Sequence, residues 1–221
     1  MVTVNAPGLS QFYSNIFNCS PQKFYVVYDS MSLSEEETGL LHAQKALDKK
    51  DPYVFFGGKS FRDIPTFLQV VRLLPNVKFK AVILKDMILP EMAQLKNLEV
   101  LHDLEINEFY RILSNATVCC IPLKANVPCG LYVMQHAILM GIPIVSTETP
   151  SMRTIIPNDD YGFLLPREDS FGMANKVENL LHDEDLIRKV TSAAKINMEK
   201  FTPESVAEQL CDVIDTIKNS K

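Results

Sequence analysis

Two glycine-containing turns hold the residues best suited to bind an anion. The first turn, Gly57-Gly58-Lys59-Ser60-Phe61-Arg62, follows an apolar run and precedes a helical pattern. Glycines let a ligand approach the backbone closely, and a guanidinium such as that of Arg62 can donate two parallel hydrogen bonds to phosphate oxygens. This segment alone leaves two interpretations equally open. It is either a diphosphate site or a turn whose glycines serve backbone geometry, with Lys59 and Arg62 in solvent.

The second turn begins at Gly130, where an amphipathic helical pattern starts and then runs to Gly141. Free N–H groups and the dipole at a helix N-terminus favour a bound anion. Gly141 is expected to adopt the left-handed conformation at the helix end, and Pro143 discourages continuation of the helix. The backbone of Cys129, Gly130 and Leu131 is therefore a candidate for phosphate contact. For the Cys129 thiol itself, a structural role is favoured over a nucleophilic one, because no histidine accompanies it in a catalytic pattern.

Two further positions place polar groups near the same predicted sheet edge. His102 and Leu104 lie in a short connection after a strand, where backbone groups can meet the edge of a nucleobase, and Asp103 between them is predicted to cap the next helix. His136 lies two turns inside the helix that follows Gly130. A single helical histidine is most often exposed or satisfied in the core, so the residues alone favour that interpretation of His136 over contact with a ligand.

Composition excludes several classes of protein. The net charge of -5 among 221 residues lacks the basic footprint of a nucleic-acid binder. No apolar run reaches the length of about 18 to 20 residues that a membrane span requires, and the first residues lack the features of a signal peptide. The five cysteines are an odd number without metal-ligand spacing, and Cys119-Cys120 lies in an apolar run where buried free thiols are common, which favours a reducing cytoplasm. No serine elbow, Walker motif or Gly-x-Gly-x-x-Gly fingerprint is present, which disfavours hydrolases, P-loop nucleotidases and NAD-dependent dehydrogenases.

From residue 53 onward, short apolar runs alternate with helical patterns. This alternation predicts an α/β fold, a Rossmann-like parallel sheet of about six strands with helices on both faces. The predicted strands are Tyr53–Phe56, Phe79–Leu84, Leu98–Leu101, Thr117–Ile121, Ile142–Ser146 and Phe163–Leu165. The predicted intervening helices are Asp63–Leu74, Leu89–Lys96, Ile106–Asn115, Leu131–Met140 and Ser151–Ile155. In such a sheet the candidate turns open together at the carboxyl edge, where open α/β sheets bind ligands.

The two ends of the sequence follow other patterns. After Pro166 the chain is predicted to form a helical C-terminal tail, comprising Ser170–His182, Glu184–Lys200 and a last helix that Thr202 caps and that ends near Asn219. Residues 1–36 are predicted to contain a helix, Ser10–Phe17, and a strand, Phe24–Tyr28, and are too short for a domain of their own. A helix at Thr38–Asp48 is expected to lead into the sheet, so the main domain is predicted to cover residues 37–221.

Four segments, taken in order, resemble the nucleotide-sugar-binding C-terminal half of group 1 (retaining) glycosyltransferases of the GT-B fold. They are Gly57-Gly58…Arg62-Asp63, Glu108-Phe-Tyr-Arg-Ile-Leu-Ser-Asn-Ala116, Gly130…Ala137…Gly141-Ile-Pro-Ile-Val, and Thr149-Pro-Ser-Met-Arg-Thr-Ile-Ile156…Tyr161-Gly-Phe-Leu-Leu. The resemblance covers residues 53 to about 215 in the right order and spacing. No single motif is specific, so the ordered set carries the similarity.

The resemblance implies one half of a two-domain cleft. The chain would hold a UDP- or GDP-linked sugar without a metal or other cofactor, and Arg62, assisted by Lys59, would neutralise the leaving diphosphate. The remaining donor contacts would come from Gly57, Gly58, His102, Leu104, Cys129, Gly130, Leu131 and His136. Residues 1–36 would be the linker and remnant of an absent N-terminal domain that binds a glycan or lipid-linked acceptor. The full enzyme is then expected to be a cytoplasmic hexosyltransferase of polysaccharide synthesis, with peripheral membrane association and homodimerisation as further expectations, and this half would be inactive alone.

One departure from the family keeps other functions open. The family places two glutamates at the positions of Pro128 and His136, and the second holds the ribose hydroxyls; neither glutamate is present here. A non-catalytic partner subunit of a split glycosyltransferase is therefore the first alternative. A fragment of a two-domain nucleotide-sugar epimerase is the second, although it would need an acid/base histidine in the cleft. A flavodoxin-like binding module is disfavoured by the helical tail.

Overall fold

The computed structural model describes residues 2–34, 38–39, 51–125 and 129–219. Its strands are β1 (Val2–Val4), β2 (Phe24–Val26), β3 (Tyr53–Gly57), β4 (Lys78–Ile83), β5 (Leu98–His102), β6 (Val118–Ile121), β7 (Ile144–Thr147) and β8 (Phe163–Leu165). The last six strands form one sheet in the order β5-β4-β3-β6-β7-β8, in which every pairing is parallel. This order confirms the predicted Rossmann-like sheet.

The helices follow the predicted pattern closely. They are α1 (Pro7–Phe17), α2 (Ile64–Leu73), α3 (Ile106–Ser114), α4 (Leu131–Leu139), α5 (Pro150–Ile155), α6 (Ser170–His182), α7 (Glu184–Asn197) and α8 (Pro203–Asn219). The Asp63 carboxylate caps α2 by accepting from the Thr66 N–H at 3.1 Å. As predicted, Gly141 lies beyond α4 with a φ of 75°, and Thr202 Oγ1 accepts from the Ser205 N–H at the start of α8.

The central strand buries both of its faces, because successive side chains of a strand point to opposite sides of the sheet. Val54 and Phe56 join the core beneath α2 and α6, whereas Phe55 joins the core on the opposite face with α4. On the first face, the rings of Phe56 and Phe67 stack with centroids 4.0 Å apart, and neither side chain is exposed. The near-continuous apolar sequence of β3 is thus explained by coverage on both sides.

Two predicted helices differ from the structure, and one strand was not predicted. Leu89–Lys96 is not an α-helix; only a 3-10 turn forms at Pro90–Gln94, with Met92 buried and with Leu89 and Leu95 partly buried against the core. The helix predicted to reach Lys200 ends at Asn197 and continues as a 3-10 turn, Met198–Phe201. Strand β1 was not predicted, because three residues are too short to show a period. The predicted helix Thr38–Asp48 lies outside the described residues, apart from helical Thr38 and Gly39.

The N-terminal segment packs against the main domain. Strands β1 and β2 pair in parallel across α1, and α1 lies on α5. The Tyr28 ring contacts that of Phe201, with centroids 4.9 Å apart, and the Tyr28 N–H donates to Gln209 Oε1 at 3.1 Å. Residues 2–34 therefore share an interface with the helical tail, and their assignment to an acceptor domain stays a prediction. No helix within the described ranges has the length and hydropathy needed to cross a membrane.

Candidate functional site

A cavity of about 720 Å³ opens at the carboxyl ends of β3, β4 and β5. Open parallel sheets bind ligands at this edge, because the helices that follow the strands present their N-termini there. The turn after β3 and the start of α4 form one end of the cavity, and the ends of β4 and β5 with α3 form the other. Its lining residues are Gly58, Lys59, Ser60, Arg62, Val82, Ile83, Leu84, Asp103, Leu104, Ile106, Phe109, Cys129, Gly130, Tyr132 and Val133.

The guanidinium of Arg62 is the principal charge in this cavity. The residue is only 4% exposed, and it is held by its own turn: Nε donates to the Gly57 carbonyl at 2.6 Å and Nη1 to the Ser60 carbonyl at 2.9 Å. Burial lowers the pKa of Arg62. Within the described ranges, no carboxylate forms an ion pair with it. Since buried charges are normally paired, a fixed and uncompensated cation at a cavity wall favours an anionic ligand.

Gly58 makes room for this guanidinium. Its φ of +114° lies in the region that L side chains rarely adopt, and a Cβ built there would approach Arg62 Nη2 to 2.0 Å. The glycine therefore has two roles at once, because it permits the tight turn and leaves the space in which Arg62 lies. The Gly58 N–H donates to the Val82 carbonyl and thereby fixes the turn to β4.

We expect Gly58→Ala to displace Arg62 and to strain the turn. The free energy of unfolding should fall by about 1–3 kcal/mol, and the affinity for a diphosphate should fall roughly tenfold as the guanidinium loses its position. Chemical denaturation and calorimetric titration with UDP measure the two effects. Gly39→Ala is the matched control, since a Cβ at Gly39 meets no atom within 4 Å. An unchanged affinity in Gly58→Ala would show that the position of Arg62 does not matter.

The start of α4 lies beside Arg62. Gly130 adopts a φ of +78°, and a Cβ there would lie 3.4 Å from Arg62 Nη1, so the helix N-terminus and the guanidinium share one corner of the cavity. Both groups attract an anion, and together they form the positive end of the site. Cys129 lines the same corner, and burial raises the pKa of its thiol, which disfavours the nucleophilic thiolate.

The structure brings together six of the ten residues singled out in the sequence. Those lining the cavity are Gly58, Lys59, Arg62, Leu104, Cys129 and Gly130. Gly57 lies behind Arg62 as the last residue of β3. The exposed His102 points its Nδ1 at the Asp103 carboxylate, 2.9 Å away, and Leu131 lines a separate small cavity with Asn5 and Ser151.

His136 also lies outside the cavity lining. It is 1% exposed, its Nδ1 is 2.8 Å from the Tyr132 carbonyl oxygen, and its ring packs under Tyr132 with centroids 4.1 Å apart. The side chain of His136 points into the core, and Tyr132 lines the cavity instead. A ligand contact was expected from His136, whereas the structure offers Tyr132 for that contact. The other position where the family has a glutamate, Pro128, lies outside the described residues.

Several lining residues were not singled out in the sequence. The prediction that Asp103 caps α3 is wrong: Glu105 is the N-cap residue, and Asp103 adopts a φ of 55° and faces the cavity. Val82 and Ile83 end β4 and Leu84 follows it, and the rule that ligands bind at the carboxyl ends of parallel strands could have identified all three. Ile106, Phe109 and Tyr132 look in sequence like ordinary apolar helix positions. In the described part of the chain, no group of three His, Cys, Asp or Glu side chains could hold a metal ion.

Comparison with known proteins points to one family. Residues 83–183 match the family described as Glycosyl transferases group 1. The phosphatidyl-myo-inositol mannosyltransferase of Mycobacterium leprae is 25% identical over 108 residues, which are 49% of this chain and 29% of that enzyme. The N-acetyl-alpha-D-glucosaminyl L-malate synthase of Bacillus anthracis is 30% identical over 94 residues, which are 40% of this chain and 25% of that protein. The chain thus spans less than a third of the length of either relative.

Solved structures share the fold over nearly the whole chain. Anabaena HepE, in complex with UDP and glucose, superposes with a TM-score of 0.76 at 14% identity and covers 97% of this chain and 62% of its own. Sucrose-phosphate synthase from Thermosynechococcus elongatus superposes with a TM-score of 0.73 at 18% identity, over 100% of this chain and 59% of its own. The resemblance is thus confirmed in two parts: residues 83–183 match the group 1 glycosyltransferase domain, and the described chain shares the GT-B fold of these structures.

Proposed function

We propose that this chain is the donor-binding part of a glycosyltransferase, which transfers a sugar from a UDP- or GDP-linked donor to a glycan or lipid-linked acceptor. The buried guanidinium of Arg62, facing the cavity without a carboxylate partner, is the observation that carries this proposal. A nucleoside diphosphate fits the cavity chemically, because Arg62 and Lys59 supply cationic groups to its lining and Leu104, Ile106 and Phe109 supply apolar surface. The structural neighbour HepE is described with UDP and glucose, which supports the same class of ligand.

In this proposal, the chain acts on the leaving group. When the bond between the sugar and the diphosphate breaks, negative charge develops on the departing phosphate oxygen. Arg62, the N–H groups at the start of α4 and the exposed Lys59 would stabilise that charge in a partly dehydrated site, where such interactions are strongest. These cationic groups would perform the neutralisation for which other transferases employ a metal ion, so we propose that no metal is needed.

We further propose that the acceptor binds to an N-terminal domain and that the whole enzyme works in the cytoplasm on polysaccharide synthesis. The described cysteines are all free thiols, which supports a reducing compartment. Peripheral membrane association and homodimer formation belong to the same proposal for the full enzyme. The alternative of a non-catalytic partner subunit is favoured by one observation: the position of the ribose-binding glutamate holds His136, whose side chain is buried away from the cavity.

Calorimetric titration with UDP, GDP and ADP tests the proposed function directly. We expect UDP or GDP to bind in the submillimolar range and to bind equally well in magnesium and in EDTA, because Arg62 and the helix N-terminus hold the diphosphate. If none of the three nucleotides binds at millimolar concentration, the proposal fails. To separate an enzyme from a non-catalytic subunit, UDP-glucose and GDP-mannose should be incubated with the chain mixed with acceptor-domain chains. Sugar transfer that needs Arg62 supports catalysis by this chain.

A further inference from the structure

Tyr132 is the aromatic residue at the start of α4, and it lies in the cavity. It is the second residue of the helix, is 56% exposed, and belongs to the cavity lining. Its ring rests on His136, which in turn stacks on the Tyr110 ring with centroids 4.7 Å apart and an angle of 18° between the planes. Tyr110 is 2% exposed and belongs to α3. One side of the Tyr132 ring is thus fixed by two buried rings, and the side chain is held ready for a ligand.

The hydroxyl group of Tyr132 has a defined role in this cluster. The Tyr110 and Tyr132 hydroxyl groups share a hydrogen bond, with 2.5 Å between the two oxygen atoms. A phenol can donate one hydrogen bond and its oxygen can also accept, so the Tyr132 hydroxyl keeps hydrogen-bonding capacity beyond its bond with Tyr110. Within the described ranges, this bond is the one that the Tyr132 hydroxyl forms with the protein. Tyr132 therefore presents a polar hydroxyl group to the cavity, held by a hydroxyl group of a buried side chain.

The position of Tyr132 within the cavity suggests which part of a nucleotide it meets. On one side of it along α4 is Gly130, beside the Arg62 guanidinium, at the cationic end. Tyr132 also contacts Tyr110 of α3, whose neighbour Phe109 lines the cavity together with Leu104 and Ile106. In a nucleoside diphosphate, the pentose joins the phosphates to the base. A ligand with its diphosphate at Arg62 and its base against these apolar residues would pass Tyr132 with its pentose.

We propose that Tyr132 is a specificity-determining residue whose hydroxyl group forms a hydrogen bond with a pentose hydroxyl of the bound nucleotide. This inference rests on the proposed function, since it requires a nucleotide in the cavity. The Tyr110–Tyr132–His136 cluster then takes the place of the missing ribose-binding glutamate. A neutral phenol differs from a carboxylate because it can donate as well as accept a hydrogen bond and because it adds no negative charge beside the diphosphate. The site therefore distinguishes a ribonucleotide from a deoxyribonucleotide through a tyrosine.

A set of deoxynucleotides tests this inference. The ribonucleotide, UDP or GDP, whichever binds more tightly, is titrated together with its 2′-deoxy and 3′-deoxy forms into the wild type, Tyr132→Phe and Tyr28→Phe. Tyr132→Phe keeps the ring on His136 and removes only the hydroxyl. Tyr28→Phe is the matched control, because Tyr28 packs on Phe201 and does not line the cavity. We expect the wild type to prefer the ribonucleotide over one deoxy form by about three- to tenfold, as one neutral hydrogen bond provides.

In Tyr132→Phe the ratio of the affinities for the ribonucleotide and the deoxy form should fall to about one, because the single hydrogen bond that separates them is lost. Tyr28→Phe should retain the wild-type ratio. The inference is overturned if Tyr132→Phe keeps the full preference, or if the wild type shows none for either deoxy form. Either result leaves the proposed function intact, provided that the ribonucleotide binds and that binding needs Arg62. Absence of binding of any nucleotide to the wild type would overturn both proposals.

Discussion

Replacing Arg62 with methionine should lower the affinity for UDP or GDP by about a hundredfold or more and yet leave the protein nearly as stable as the wild type. Two hydrogen bonds from a guanidinium to a phosphate are each worth about 1.5–3 kcal/mol, and methionine makes neither. In the absence of ligand, however, the guanidinium is a buried cation without a described carboxylate partner. Removing such a charge and filling its space with an apolar side chain offsets the loss of its two bonds to carbonyl groups.

Calorimetry and thermal unfolding measure these two effects. The midpoint of Arg62→Met is expected to stay within about 2–4 °C of the wild type, the shift that roughly 1 kcal/mol produces in a chain of this size. Arg188→Met, at an exposed arginine on α7, should change neither the midpoint nor the affinity. If Arg62→Met binds nucleotide as the wild type does, the guanidinium has no part in the site. If it unfolds far below the wild type, Arg62 serves the fold instead.

Replacing Phe67 with alanine should lower the free energy of unfolding by about 3–5 kcal/mol. The ring stacks on Phe56 at 4.0 Å and meets Phe79 edge to face at 5.9 Å, and all three side chains are essentially unexposed. Truncation would leave a cavity between α2 and the central strand, which cannot collapse because β3 is hydrogen-bonded on both sides. A loss of this size is a large part of the total stability of an ordinary domain.

Urea denaturation measures this loss, and Leu73→Ala supplies its control. Leu73 belongs to the same helix but is 37% exposed, so its truncation should cost less than about 1 kcal/mol. The slope of the transition should be the same in both variants if only the native state is affected. Equal losses in the two variants would contradict the assignment of Phe67 to the central packing layer.

The sheet could be predicted because its strands are short and mostly apolar and because, except between β4 and β5, a helix separates each strand from the next. β8 was predicted with its observed bounds, and β3 and β5 each extend one residue further than predicted. The prediction of an α-helix at Leu89–Lys96 was wrong because apolar spacing indicates which residues are buried but does not distinguish an α-helix from a 3-10 turn. Met92 is buried, and Leu89 and Leu95 are partly buried against the core, although the segment forms only a 3-10 turn.

The parts of the candidate site that could be predicted are its turns, because glycines in the sequence indicate an unusual backbone conformation there. Gly58, Gly130 and Gly141 all have positive φ, and glycine is the residue that this conformation favours. It is harder to predict which residue on a helix points into the cavity, because this depends on which of several neighbouring side chains takes that space. Tyr132 and His136 are four residues apart, share one face of α4, and compete for the same space. The sequence could not show that the tyrosine faces the ligand side.

The pairing of β3 with β6 has a consequence for the synthesis of this protein. Val54 pairs with Val118, so one edge of the central strand has no partner until the chain has grown by more than sixty residues. On a ribosome, β3, β4 and β5 can associate before β6 is made. The highly apolar strand β3 is then an unpaired edge of the nascent sheet. Such an unpaired edge invites association with other chains. We therefore expect emerging chains to need shielding by chaperones until residue 121 has left the exit tunnel, and stalled chains that end between β5 and β6 to aggregate.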